Sequence, residues 1–252
     1  MEAQPIALVV PCYNEAGRFA VEEVAGVLDA HPALLLVLVD DGSTDATADV
    51  LGLLADRFPG RVLVHRLAAN AGKAGAVRAG MLLATATWPQ ARYIGYFDAD
   101  LATPLQEALR LRQAVTPREP AIIMGSRVKL MGTTDIKRLE HRHYFGRFFA
   151  TLVSMQLRLP VYDTQCGAKL VRRDMVGHLF DQPFLTRWLF DVEILWRCMV
   201  HVGHAAMWDE VAEVPVSRWH ERPGSKVDWT DAVRVPMQLR RIARHYRGRV
   251  RW

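Results

Sequence analysis

Long apolar runs are missing from this sequence of 252 residues. The best candidates, "ALLLVLV" at 33–39 and the stretch 148–157, fall short of the about eighteen consecutive apolar residues that a membrane-crossing helix requires. The chain is therefore not expected to cross a bilayer. Cysteine is scarce: Cys12, Cys166 and Cys198 are far apart, odd in number and without CxxC spacing, which argues against a disulfide framework and a thiolate zinc site. Two phosphate-binding signatures are absent as well, the GxxxxGKS/T loop and a GxGxxG after the first strand-like run. Their absence counts against P-loop NTPases and dinucleotide dehydrogenases. The chain starts with an acid at Glu2 and no basic region followed by a cleavage site, so no secretory signal is read there and the expected location is the cytoplasm. No Pro/Gly/Ser-rich linker, internal repeat or low-complexity tract divides the sequence.

Apolar residues make up 50% of the chain, enough for one large domain with a substantial core. The net charge of +5 is concentrated at one end, because residues 232–252 hold seven arginines and no acid, which leaves the remainder at about −2. Drawn as a helix from Val235, this end puts Val235, Leu239, Ile242 and Tyr246 on one face and Arg240, Arg244, Arg247 and Arg251 on the other. Such a segment suits peripheral contact with an anionic membrane surface. It suits equally a terminal helix packed on the domain with a solvated basic face. Nucleic acid is not expected as a partner, since the arginines are not interleaved with stacking aromatics. A second basic and aromatic stretch, "HRHYFGRFF" at 141–149, reads as an interfacial helix, with core packing as an equal rival. Its His141 and His143 do not converge on one ion from a helix, so zinc is not expected there.

Short apolar runs alternate with amphipathic ones over the first 125 residues. Strands are expected at 6–12, 34–39, 61–67, 92–97 and 121–126, and helices near 16–30, 45–57, 72–86 and 104–115. Strands made almost wholly of Val, Ile and Leu belong to a parallel sheet buried on both faces. Ligands of such sheets collect at the carboxyl ends of the strands, where this chain places "CYNE", "DDGSTD", "NAGKAG" and "DAD". A further helix is expected at 188–201, after the polar turn "YDTQCG" at 162–167.

Asp98 and Asp100, leaving the fourth strand, can reach one hard cation, and Mg2+ or Mn2+ fits oxygen ligands that are completed by substrate phosphates and water. Asp40 and Asp41 end the second strand, where capping of the next helix accounts for one acid only. Lys73 starts a helix, where its charge conflicts with the positive helix end unless an anion is present.

The set "VVPCYNE", "VDDGSTD", "NAGKAGAVRAG" and "YFDAD", in this order and spacing, resembles the inverting family 2 glycosyltransferases of GT-A fold. "MGSR", "DTQCGAKLVRRD", "RWLFDVEIL" and "EVPVSRWHERPGSKV" look like their dolichyl-phosphate β-glucosyltransferase branch. The resemblance implies a GT-A α/β fold with a mostly parallel central sheet. It implies a nucleotide-sugar half at 1–125 and an acceptor half at 126–230, which together form a single domain over 1–230, followed by a basic amphipathic helix at 231–252. It also implies transfer of a hexose, UDP-glucose being the expected donor, to a polyprenyl phosphate at the cytoplasmic membrane face. By position in the motifs, Pro11, Tyr13 and Glu15 would line the uridine pocket, and Asp41 with Asp40 would hold the uracil edge. Lys73 would face the uridine or diphosphate, while Asp98 and Asp100 would serve ribose and metal, Asp100 as the surer ligand. Asp191 in "FDVE" stands at the catalytic aspartate, as a general base or as a residue that orients the acceptor. Arg127, Lys169 and Arg172 are the candidate partners of an acceptor phosphate, Arg127 first. Two rival readings stay open: a soluble transferase using another UDP- or GDP-sugar and a saccharide hydroxyl, and a nucleotide-sugar-binding protein without turnover.

Overall fold

Runs of Val, Ile and Leu with no face left for water form the centre of the molecule. The structure is a computed structural model that describes residues 4–132, 134–137, 140–220 and 229–252, with the side chains of 140–145 and 229–234 outside the description. The reading of His141 and His143 concerns side chains outside that set. The first 126 residues form β1 (Ile6–Cys12), α1 (Val21–Ala30), β2 (Leu34–Asp40), α2 (Thr47–Arg57), β3 (Val62–Arg66), α3 (Gly72–Thr87), β4 (Tyr93–Tyr96), α4 (Glu107–Ala114) and β5 (Ile122–Ser126). There follow β6 (Asp135–Lys137), α5 (Glu140–Leu157), β7 (Lys169–Arg172), α6 (Arg173–Phe180), α7 (Phe190–Val202), α8 (Met207–Glu210), β8 (Val211–Pro215), β9 (Arg218–His220) and α9 (Trp229–Tyr246).

The main sheet has the order β3-β2-β1-β4-β7-β5-β8, and β6 pairs with β9 separately. Its strands run parallel except β7, which is antiparallel to both neighbours, β4 and β5. The fold is therefore α/β with a mostly parallel sheet. Because side chains alternate across a strand, each strand feeds two cores. Val9, Val37, Ile94 and Val171 point to the layer that holds α3, α6, α7 and α9. Leu8, Leu36, Tyr93 and Leu170 point to the opposite layer, with α1, α2 and α4. On the first of these faces α3 lies close, since a Cβ on Gly80 would run into Val9 and Val39.

The helix expected at 16–30 starts at Val21, because the N–H groups of Arg18 and Phe19 both return to the Glu15 carbonyl and hold residues 15–19 as a loop. The C-terminal helix buries Val235, Leu239, Ile242 and Tyr246 in the core. Its apolar face is thus committed to the domain, and Arg240, Arg241 and Arg244 are among the residues it presents to solvent, followed by Arg247 just past its end. Among the described residues no helix is long and apolar enough to cross a membrane. Cys12, Cys166 and Cys198 are free and buried.

Candidate active site

The loops after β1 and β2 are sewn together by side chains of their own motifs. Ser43 Oγ and Thr47 Oγ1 accept the N–H groups of Asn14 and Glu15 at 3.0 and 2.8 Å, and Asn14 Oδ1 accepts the Thr44 N–H at 2.9 Å. Asn14 takes a left-handed conformation with φ 52°, which asparagine tolerates better than most residues. Asp41 reaches across to the start of α3, accepting the Ala71 N–H at 2.7 Å. Its burial raises its carboxyl above the usual carboxylate range, against the lowering effect of the Ala71 and Gly72 N–H groups and of Arg187.

Lys73 lies in the first turn of α3, and its Nζ sits 2.5 Å from Asp98 Oδ1, with about a third of each side chain open to solvent. Burial works against the charge of each. Asp98, Asp191 and Asp100 nevertheless raise the lysine, and Lys73, Arg127 and Lys169 hold Asp98 below the usual range. The anion that a lysine at a helix start requires is thus supplied by the chain itself. Asp100 turns into the next loop, where its Oδ1 accepts the Ala102 N–H at 3.0 Å. Leu101 between them adopts φ 51°, a left-handed conformation that a leucine holds at a cost of about 1 kcal/mol or more. Burial and then the charge of Asp98 raise Asp100. A divalent cation would relieve the repulsion between these two acids. Lys73, Arg127 and Lys169 stand against Asp98, Asp100, Asp163 and Asp191. These three cations and four carboxylates leave the group acidic by one charge, an environment that suits a divalent cation. Two carboxylates with the remaining positions left to phosphate oxygens and water form a donor set that fits Mg2+ or Mn2+.

On the other side of Asp98, the loop before β7 brings in Asp163, whose carboxylate binds Arg127 through Nε at 2.6 Å and Nη2 at 2.8 Å. The Arg127 guanidinium also lies over the Trp219 ring, 5.4 Å from its centroid. Deeper still, Asp191 at the start of α7 has one oxygen, Oδ1, that accepts from Tyr96 Oη at 2.6 Å and lies 2.6 Å from Lys169 Nζ. Tyr96 is pushed well above its ordinary value by burial and by Asp191, so it stays protonated and donates.

The structure brings Lys73, Asp98, Asp100, Arg127, Lys169 and Asp191 to one edge of the sheet, next to Asp41 and the Pro11, Tyr13 and Glu15 loop. Glu15 is buried, and its carboxylate is paired with Arg18 in a contact that uses both oxygens. Three expectations change. Asp40 is fully buried, gives Oδ1 to the Ser43 N–H at 2.9 Å and sits 3.3 Å from Arg66 Nε without hydrogen-bond alignment. Asp40 therefore shapes the turn, with its carboxylate turned into the core rather than toward the loop edge. Lys169 is 1% exposed, too deep for direct contact with an acceptor phosphate. Arg172 is opposite Tyr93 in the β4–β7 register, while Lys169 is opposite Tyr96. It therefore emerges at the far edge, where it pairs with Asp174 and Glu210.

Tyr96, Asp163 and Arg187 escaped the sequence reading. A tyrosine in a strand buried on both faces signals a hydroxyl in need of a partner, which was the available sign for Tyr96. Arg187 donates to the Asn70 carbonyl at 3.2 Å and lies beside Gly72, adding a second cation at the start of α3.

The family model described as "Glycosyl transferase family 2" matches residues 7–180. The chain belongs to this family. A family 2 relative, the dolichyl-phosphate beta-glucosyltransferase of Trichomonas vaginalis, is 32% identical over 252 residues, spanning 95% of this chain and 71% of its own length. The dolichyl-phosphate beta-glucosyltransferase of Saccharomyces cerevisiae is 31% identical over 241 residues, spanning 88% of this chain and 69% of its own. Among solved structures, glucosyl-3-phosphoglycerate synthase from Mycobacterium tuberculosis in complex with Mn2+, uridine-diphosphate-glucose and phosphoglyceric acid superposes with a TM-score of 0.66. It shares 16% identity and covers 98% of this chain and 80% of its own. At that identity the likeness is one of fold.

Proposed function

We propose that this family 2 enzyme transfers glucose from UDP-glucose to a polyprenyl phosphate of the dolichyl type, with inversion at the anomeric carbon. The observation that carries the reading is 32% identity across 95% of the chain to a relative named for that reaction. In this reading 1–125 is the donor half and 126–230 the acceptor half. Asp41 and the Pro11, Tyr13 and Glu15 loop hold the uridine, Lys73 meets the diphosphate, and Asp98 and Asp100 hold a divalent cation. Bound there, the cation neutralises charge on the departing diphosphate.

A phosphate oxygen of the acceptor attacks the anomeric carbon from the face opposite UDP. As that C–O bond forms, the bond to the β-phosphate breaks and its electron pair stays on UDP, where Lys73 faces the developing charge. A phosphate monoester, with a second pKa of about 6, is already ionised near neutral pH, so no residue has to remove a proton from it. Asp191 then orients the reactants, and Arg127, held by Asp163, is the acceptor-side cation. Membrane contact falls to the exposed Phe148 and Met155 of α5 and the exposed arginines of α9, since an apolar stripe beside basic residues suits an anionic interface.

The test is a matrix of UDP-glucose, UDP-galactose and GDP-mannose against polyprenyl phosphate and saccharide acceptors with Mn2+ or Mg2+, read as released nucleotide and lipid-linked sugar. Lipid-linked glucose from UDP-glucose is expected. Turnover of a saccharide acceptor with none of the lipid phosphate would replace the lipid reading by that of a hydroxyl-directed transferase.

A further inference from the structure

Lys169 stands out because an ammonium is held where an apolar side chain would fill the space. It is 1% exposed, and withdrawing such an ion from water carries a penalty of several kcal/mol. Its Nζ donates to the Cys166 carbonyl at 2.6 Å, lies 2.6 Å from Asp191 Oδ1 and sits 5.4 Å from the Tyr96 ring centroid. One group therefore ties together the loop before β7, the first turn of α7 and the end of β4. The loop matters because it contains Gly167, against whose backbone the Asp98 carboxylate is seated. The groups that face Asp191 are the Lys169 ammonium from β7, the neutral Tyr96 hydroxyl from β4 and, at longer range, the Lys73 ammonium from α3. Lys73 is already committed to Asp98, so Lys169 is the direct counter-charge of Asp191.

Both contacts of Asp191 fall on the same oxygen, Oδ1, and among the described residues none falls on Oδ2. This fixes the rotation of the carboxylate and leaves one oxygen for a substrate group. We propose that Lys169 is a positioning residue, which locks Asp191 at a set separation from Asp98 so that the sugar and acceptor held by Asp191 meet the donor held at Asp98. The proposal rests on the transferase reading above and assigns Lys169 no contact with phosphate.

Lys169→Met keeps the length of the side chain and removes the charge. The expected result is a folded protein by circular dichroism, with UDP affinity by calorimetry within about twofold of wild type and kcat lower by about 100-fold, the effect of a misplacement near 1 Å. In the double variant Lys169→Met/Asp191→Asn, kcat should lie within about threefold of Asp191→Asn alone, because the lysine acts through that aspartate. Lys169→Arg, which keeps the charge, should recover part of the loss. Three results would overturn the proposal: kcat of Lys169→Met within about threefold of wild type, losses that multiply in the double variant, or UDP affinity falling by the same factor as kcat. Should Lys169→Met fail to fold, Lys169→Gln goes through the same comparison. The donor and acceptor pair that wild type turns over is used throughout. A failure of UDP-glucose or polyprenyl phosphate with wild type thus speaks to the function, and the ratio of variant to wild type speaks to Lys169.

Discussion

Gly167 and Asp98 are in direct contact: the space a Cβ on Gly167 would need is filled by the Asp98 carboxylate. Gly167→Ala must therefore push Asp98 off Lys73 or shift the loop. Turnover should fall at least tenfold, equivalent to about 1.4 kcal/mol of transition-state stabilisation, while circular dichroism shows an intact fold. Steady-state nucleotide release decides it, and wild-type rates would show that the carboxylate has room to move without consequence.

Chelation gives a second expectation. The acidic excess around Asp98 and Asp100 implies that EDTA abolishes turnover and that Mn2+ or Mg2+ restores it. If Asp100 holds the cation as proposed, Asp100→Asn should raise the concentration of metal needed for half-maximal activity by roughly tenfold or more, about the effect of losing one interaction of 1.4 kcal/mol. A metal titration of both proteins measures the shift.

The Arg127–Asp163 pair predicts an acid-sensitive contribution to stability. Burial opposes the charge of Asp163, but the Arg127 guanidinium and backbone N–H override it and hold the carboxyl below the usual range. Because the folded value lies below the unfolded one of about 3.9, the stabilisation is complete above about pH 4 and is lost as pH falls through the folded value. Asp163→Asn should lower the unfolding free energy by about 3 kcal/mol at pH 7, having stripped a buried arginine of its partner. The gap to wild type should narrow below about pH 4 in urea unfolding.

Arg197 predicts a large effect far from the chemistry. It donates to the carbonyls of Leu179, Gln182 and Pro183 and to Glu193 Oε1, which also accepts from Tyr246 Oη at 2.7 Å. Glu193 is fully buried. Arg197→Met leaves that carboxylate without its cation and should cost about 3 to 5 kcal/mol in denaturant unfolding. Tyr246→Phe removes two hydrogen bonds, the one its hydroxyl donates to Glu193 and the one it accepts from Arg197 Nε at 3.1 Å, and should cost about 2 kcal/mol.

Exposed residues of α5 test the membrane contact. Phe148 and Met155 are 63% and 72% exposed, so replacing both with Asp should leave thermal stability nearly unchanged, within about 0.5 kcal/mol. Co-flotation with anionic vesicles should fall markedly. Undiminished flotation would transfer the role to the arginines of α9 alone.

The fold of the first 126 residues was legible because most of its elements announce themselves locally. Leu34–Asp40 is apolar up to its last residue and buried throughout, and the acids of "DDGSTD" and "DAD" stand where parallel strands deliver ligands. The strand β7 beyond them was not, because its meaning depends on direction. Lys169 and Arg172 look equivalent in "GAKLVRRD", yet a strand of four residues separates them by the depth of the sheet. Only the antiparallel course of β7 tells which of them arrives at the acids. Asp191 was legible by its motif, whereas Tyr96, nearly a hundred positions earlier in the chain, became its partner only through folding. The basic helix at the C-terminus was legible as amphipathic, but nothing in its sequence states that the apolar face is taken by α7.

The lysine in β7 also acts on the assembly of the sheet. Ala168 and Leu170 face one core, while Lys169 and Val171 face the other. A slip of one residue would carry the ammonium into the layer of α1, α2 and α4, away from Asp191, and would set an alanine or a leucine against Asp191. Such a short strand, wedged between two neighbours of opposite direction, has few hydrogen bonds with which to choose its alignment. The pairing of Lys169 with Asp191 therefore favours one alignment, because any other buries an ammonium and a carboxylate apart.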